Sequence, residues 1–178
     1  METGCNLETI RSTIEYGLIK NYYADKKAER SGVLLINHID EGLQILKWEK
    51  ASINAMKAYC LHPMFQADEA LVENYQLKIS EKVTPNIILL VMEYRNIANQ
   101  YLSKRIIENI EEIQLSSLVE VNQILVADKI QNRKDFEIYH KKSHPRAIEL
   151  DKYFKNWLLR LKISEEKYQN YCQNLTTK

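Results

Sequence analysis

Glycine and proline, the residues that most often end helices and form turns, are scarce in this chain of 178 residues. Only four glycines and three prolines are present, well below average usage. Folds built from many short strands and turns need more of both residues. The scarcity therefore predicts an all-α fold in which long helices are joined by brief connections. The length fits one domain with a hydrophobic core.

Apolar residues recur at helical spacing along most of the chain. The predicted helices cover about residues 10–27, 35–46, 52–62, 67–77, 85–102, 117–139 and 146–161, with a last helix from residue 164. The third is expected to stop before Pro63, because the residue preceding a proline is pushed out of the α region. The pattern leaves residues 106–113 as either a helix or a covering segment.

The charge balance and the cysteine pattern exclude several classes of protein. With 25 basic and 24 acidic residues, overall charge does not attract nucleic acid, and we expect no nucleic-acid partner. Cys5, Cys60 and Cys172 are odd in number and form no paired motif, which argues against disulfides and a zinc knuckle. The N-terminal residues lack the apolar stretch of a secretory signal, and the longest apolar run is too short to span a bilayer. We expect a reduced, cytoplasmic protein without a membrane partner.

Two polar residues stand out because apolar neighbours surround them. His38 follows Leu35 and Ile36, and Asp128 follows an apolar run at residues 124–127. A buried carboxylate needs a partner or a metal, and His62 offers a second imidazole. A single helical histidine is more often a packed or surface residue than a ligand, and spacing alone does not bring the three together. Two imidazoles and a carboxylate nevertheless form a suitable ligand set for Zn²⁺, Mn²⁺ or Fe²⁺.

Two segments resemble motifs of the RelA/SpoT-type hydrolases of the HD-domain superfamily. Residues 30–38 (Arg-Ser-Gly-Val-Leu-Leu-Ile-Asn-His) resemble the opening of those domains, where a basic-Ser-Gly turn precedes the first metal-binding His. Residues 126–132 (Val-Ala-Asp-Lys-Ile-Gln-Asn) resemble the closing motif, and His62 falls at the interval of the His-Asp doublet. The resemblance covers about residues 20–137 and implies a single-domain helical bundle of HD type, with C-terminal helices at 146–175 packed on it.

The resemblance also implies a metal site and a phosphohydrolase activity. His38, His62 and Asp128 would hold a divalent ion, and Asn132 would contact a phosphorylated nucleotide such as (p)ppGpp. A basic loop at residues 141–146 leads into a predicted helix N-terminus, a position that favours an anion; the alternative is a solvated connecting loop. The expected cationic contacts to substrate are Arg30, Lys129, Lys141, Lys142 and Arg146.

The chain departs from the family at the doublet and at the acid pair that follows it. Pro63 stands where the doublet has its Asp, which removes a negative charge and should weaken metal binding. Gln66 and Ala67 stand where the family has a Glu-Asp pair that handles the attacking water. We assign this catalytic role to Gln66 and to Asp68, the nearest substitute. The departures support a second hypothesis, a degenerate HD-type protein that binds a nucleotide or a partner protein without catalysis.

Other polar and aromatic clusters have structural alternatives. His140 and His144 have the spacing of a zinc-binding helix, but no Glu lies between them and Pro145 bars a helix interior, which excludes the metalloprotease motif. Arg95 and Asn99 share a helix face, where they would either line a nucleotide pocket or pair with neighbouring helices; we favour the pairing. Three aromatic residues have core-like spacing and are assigned to packing: Tyr153, Phe154 and Trp157.

Overall fold

Ten α-helices make up most of residues 6–29 and 31–176, the part of the chain that the computed structural model describes. Within those residues no strand is present beyond one isolated β-bridge between Lys27 and Leu34, which confirms the all-α fold. Residues 106–113 contain only a 3-10 turn, Ile110–Glu112, and a π-helical turn, Phe136–His140, follows α8. The helices are α1 Leu7–Arg11, α2 Ile14–Tyr23, α3 Ile36–Trp48, α4 Ile53–Gln66, α5 Asp68–Gln76, α6 Ile79–Lys82, α7 Pro85–Gln100, α8 Val119–Asp135, α9 Ala147–Arg160 and α10 Glu165–Thr176.

Helix α4 lies at the centre of the fold because it is apolar on nearly every side. Most of its side chains are buried, and it packs against α2, α3, α5, α7 and α8. A helix without a polar face belongs in a core. Helices α3 and α8 pack on α4 and also on each other, so that His38, His62 and Asp128 come from three helices in mutual contact.

Beyond shifts of a few residues at helix ends, the observed helices differ from the predicted ones in three places, one of which is the short α6, a helix that the pattern did not predict. The first predicted helix is two helices, because Thr13 interrupts the run and caps the start of α2. The predicted stop before Pro63 is wrong, since α4 continues to Gln66. A proline inside a helix costs stability, but Leu61 and Met64 on either side are buried in the core, and their packing holds the helix through the proline.

The structure shows the length of the helices and the burial of two of the three cysteines. None of the helices in the described parts of the chain is both long and apolar enough to cross a bilayer. Cys60 is a buried free thiol and Cys172 is a half-buried one. Cys5 lies outside the described residues.

The close contact between α3 and α4 depends on Gly42. Gly42 lies one turn after His38, and Tyr59 of α4 fills the space next to it, so that an added Cβ would overlap the Tyr59 ring and hydroxyl. Tyr59 is fully buried, and its hydroxyl donates to the backbone carbonyl of His38 at 3.1 Å. A larger residue at position 42 would therefore push apart the helices that carry His38 and His62.

Gly42→Ala is expected to lower the free energy of unfolding by about 1–3 kcal/mol, because overpacking outweighs the gain in helix propensity. Gly17→Ala is the matched control, since Gly17 also lies within a helix but nothing stands within 4 Å of the added Cβ. This control should raise stability by as much as about 1 kcal/mol. Urea denaturation followed by circular dichroism measures both changes. Effects of the same sign would contradict the packing argument.

Candidate metal centre

His38 on α3, His62 on α4 and Asp128 on α8 meet at one point. The two Nε2 atoms lie 3.1 Å apart, and Asp128 Oδ1 lies 3.7 Å from His38 Nε2 and 3.6 Å from His62 Nε2. The point equidistant from these three atoms lies about 2.0 Å from each, which is the usual length of Zn–N and Zn–O bonds. The three residues form a group that could hold a metal ion.

Hydrogen bonds on the far side of both imidazoles leave the facing nitrogens unprotonated. His62 Nδ1 lies 2.6 Å from the backbone carbonyl of Tyr59, which can only accept, so Nδ1 carries the proton. His38 Nδ1 lies 2.5 Å from Gln131 Oε1 and donates in the same way. Both Nε2 atoms therefore direct lone pairs to one point. Contacts of this kind fix the tautomer and orientation of metal-binding histidines.

The Gln131 amide is itself held in one orientation. Its nitrogen donates to Glu41 at 3.1 Å and to Asp135 at 2.8 Å. Buried Lys134 pairs with both carboxylates, at 3.0 and 2.9 Å. Because carboxylates accept hydrogen bonds and the amide nitrogen donates them, the amide oxygen is directed towards His38.

The charge of Asp128 is stabilised although the residue is buried. Lys129 Nζ lies 2.9 Å from Oδ2, and Asn132 donates to Oδ1 at 2.7 Å. Burial alone would raise the pKa of Asp128, but the positive charge of Lys129 holds this pKa well below its usual value. Burial and the neighbouring His62 lower the pKa of His38, which favours the neutral imidazole that binds metals.

Pro63 explains why the Tyr59 carbonyl is available to His62. In an α-helix the N–H of each residue donates to the carbonyl four residues earlier, and proline has no N–H. The Tyr59 carbonyl thus lacks its helical partner at position 63, and His62 Nδ1 occupies it instead. Pro63 therefore supplies the acceptor that orients His62.

The candidate ligands face a cavity of about 500 Å³. Its polar side includes Lys129 and Asn132 beside Asp128, and Gln66 also lines it. Its remaining wall is largely apolar and aromatic. Clefts with a few convergent polar groups on an apolar lining are typical of small-molecule binding. Residues assigned to packing from the sequence therefore also shape the cavity; the aromatic ones are Tyr153 and Phe154, joined by Tyr23 and Phe136.

The structure does not bring Asp68 to this cavity. Asp68 begins α5, is exposed and forms an ion pair with Arg95. Asn99 donates to the backbone carbonyl of Gln66 at 3.1 Å. The pairing of Arg95 with an acid of a neighbouring helix is therefore confirmed, whereas the partner of Asn99 is a backbone carbonyl. Of the two residues expected to handle the attacking water, only Gln66 lines the cavity.

The cationic residues of the loop at 141–146 also lie away from the cavity lining. Lys141 pairs with Asp151 at 2.7 Å, and Arg146 pairs with Glu149 at 2.7 Å. Lys142 is exposed. None of these three cations lines the cavity, so their expected contacts with a substrate stay predictions.

The histidines of the same region, His140 and His144, do line the cavity. The sequence excludes a zinc-binding helix here and places His144 in the basic loop at residues 141–146 as an anion contact, whereas it assigns His140 no role at the site. Their four-residue spacing was the available signal in the sequence. In the structure, a π-helical turn ends at His140 and a tight turn joins the His144 N–H to the His140 carbonyl, which brings both side chains to the cavity. Arg30, the other expected substrate contact, lies outside the described residues.

Neither a protein-family model, a curated protein nor a solved structure matches the chain. The resemblance to HD-type hydrolases thus rests on the motif residues alone and stays a prediction. The geometry of the three candidate ligands stands independently of it.

The purified chain is expected to bind a divalent ion, and His38→Ala should weaken this binding by about 100-fold or more, since even residues behind metal ligands contribute 10–100-fold. His140→Ala is the matched control, because His140 lines the same cavity outside the ligand group. Calorimetric titration with Zn²⁺ or Mn²⁺ measures the affinities. Equal affinities for the two variants would show that His38 is not a ligand.

Pro63→Ala should increase stability and weaken metal binding. Alanine restores a helical N–H, and removing a proline from a helix interior gains as much as about 3 kcal/mol. The same N–H competes with His62 for the Tyr59 carbonyl, so metal affinity should fall about tenfold. Urea denaturation with a chelator present and metal titration separate the two effects. Unchanged metal affinity in a stabilised variant would refute the positioning role of Pro63.

Proposed function

We propose that this chain is a metal-dependent phosphohydrolase whose substrate is a phosphorylated nucleotide, (p)ppGpp or a related one. The observation that carries the proposal is the convergence of two imidazole lone pairs and a buried carboxylate on a cavity that also contains a lysine. His38, His62 and Asp128 would hold the ion. The motif resemblance supplies the substrate class.

A divalent ion at this position would supply Lewis-acid chemistry, polarising a phosphoryl oxygen and lowering the pKa of a water molecule. Three protein ligands leave coordination positions open, as catalytic zinc sites do. Asp128 is the one charged residue of the ligand group, and Lys129 balances its charge. A bound divalent ion would therefore keep its positive charge. The site therefore favours an anionic ligand such as a phosphate.

The other residues of the cavity fit a nucleotide in size and chemistry. Lys129 Nζ lies 3.3 Å from the Tyr153 hydroxyl and 5.0 Å from the Trp157 ring centre, where it is held close to the ligand group. The rings of Tyr153 and Phe154 offer surfaces on which a base can stack. Gln66 is neutral, so it can orient a water molecule but cannot accept its proton.

A second candidate function, nucleotide binding without hydrolysis, is favoured by one observation. The carboxylate nearest in sequence to the family's acid pair, Asp68, is exposed and paired with Arg95. Without it, Gln66 is the only one of the assigned water-handling residues at the cavity. The two functions share the metal centre and differ in turnover.

The chain loaded with Mn²⁺ is expected to release phosphate or pyrophosphate from at least one member of a panel of guanosine polyphosphates and nucleoside triphosphates. Asp128→Asn should lower kcat/KM by two or more orders of magnitude, because it removes a ligand charge. Asp25→Asn, at an exposed carboxylate, is the control. Nucleotide binding by the metal-loaded chain with no turnover across the panel would overturn the hydrolase and support the second candidate.

A further inference from the structure

His144 offers a hydrogen-bond donor to the cavity, whereas His38 and His62 offer acceptors. The side chain lines the cavity, and its Nδ1 lies 3.1 Å from the backbone nitrogen of Arg146. A backbone N–H can only donate, so Nδ1 is the acceptor. The neutral ring that makes this hydrogen bond carries its single proton on Nε2.

The loop around His144 holds the ring in place. The His144 nitrogen donates to the carbonyl of His140 at 2.9 Å, and the His144 carbonyl accepts from Ala147 at 3.1 Å. Arg146 is anchored in turn by Glu149 and by the backbone carbonyl of Ser103, each at 2.7 Å. The orientation of the imidazole is therefore set by the protein before a ligand enters, which lowers the entropic cost of using it.

The Nε2 proton of His144 has no acceptor in the part of the chain that the structure describes. His38 and His62 have the opposite arrangement, since their protons are on Nδ1 and their bare Nε2 atoms face Asp128. The cavity thus has a group of lone pairs and a carboxylate suited to a cation, and a separate N–H suited to an anion.

We propose that His144 binds the substrate phosphate, with Nε2–H donating a hydrogen bond to a non-bridging phosphoryl oxygen. The inference rests on the proposed function for the identity of the ligand. Because the imidazole is neutral in this role, it orients the phosphate and leaves the charge of the phosphate to Lys129 and the bound ion. Its contribution should therefore be insensitive to ionic strength, unlike a contribution from a surface lysine.

Two substitutions separate this role from a purely structural one. In His144→Asn the short side chain can still accept from the N–H two residues later, which is the pattern of an Asx turn, but it no longer presents a donor at the Nε2 position. In His144→Gln the longer side chain carries an N–H group to about the Nε2 position and loses the turn acceptor. Ser143→Ala, at an exposed neighbour on the same loop, controls for loop perturbation.

The test titrates inorganic phosphate into the full chain loaded with one equivalent of Mn²⁺. His144→Asn should weaken phosphate binding by about tenfold, the worth of one hydrogen bond, at both low and high salt. His144→Gln should bind within about threefold of the wild-type chain although it is the less stable of the two. The Mn²⁺ affinity should be the same in all variants.

Each outcome bears on one proposal. If the wild-type chain hydrolyses a nucleotide and His144→Asn binds phosphate as tightly as wild type, the role of His144 is wrong and the hydrolase stands. If phosphate binding depends on His144 but no nucleotide is hydrolysed, the hydrolase is wrong and the phosphate contact stands. Equal losses in the Asn and Gln variants, or no phosphate binding by the loaded wild-type chain, would overturn the assignment of His144.

Discussion

The burial of the Asp128 carboxylate is the constraint on which the centre of this molecule depends. Asp128 is only 3 % exposed, and an ionised carboxylate removed from water costs several kcal/mol unless its surroundings compensate. Lys129 and Asn132 of the same helix provide part of the compensation. His38 and His62 direct their bare Nε2 atoms at the same carboxylate, from helices that pack on α8. Lone pairs and a carboxylate that face one another repel, so the contact of α3, α4 and α8 favours a cation between the three side chains.

Pro63 shows how a chemically inert residue can act on such a centre. A proline in a helix is usually considered for the hydrogen bond that it removes. In α4 the removal leaves the Tyr59 carbonyl free, and this carbonyl then fixes the proton of His62 on Nδ1. The hydrogen bond that the helix loses at position 63 is thus what allows the Tyr59 carbonyl to orient His62.

The spacing of apolar residues predicted most of the helices, because a helix that buries one face needs apolar residues every three or four positions wherever it lies in the chain. It failed at Pro63, where a local rule was outweighed by the packing of the residues around it. The apolar neighbours of His38 and Asp128 indicated that both side chains point inward. Nothing local could indicate the partner of Asp68, since Arg95 comes from α7 and the pairing depends on how that helix packs on α4.

The sequence could not show the orientation of His144 either, because the hydrogen bond from the Arg146 N–H to its ring depends on the geometry of the loop. From the sequence alone, its side chain could face either solvent or a cavity. The same holds for Gln131, whose role depends on Glu41, a residue 90 positions away. Residues that act through long-range contacts are visible only once the helices are assembled.

Lys129 shows that the candidate site extends beyond the segments that carry the motifs. Burial lowers the pKa of its ammonium group, but the charge of Asp128 and the contact with Tyr153 raise it above the usual value. The ammonium is enclosed on its other side by the rings of Tyr153 and Trp157 from α9. Without α9, water would solvate Lys129 and weaken its attraction to Asp128, because the local dielectric would rise. The motif segments contain the candidate ligands, whereas α9 determines how strongly the neighbouring charges act on them.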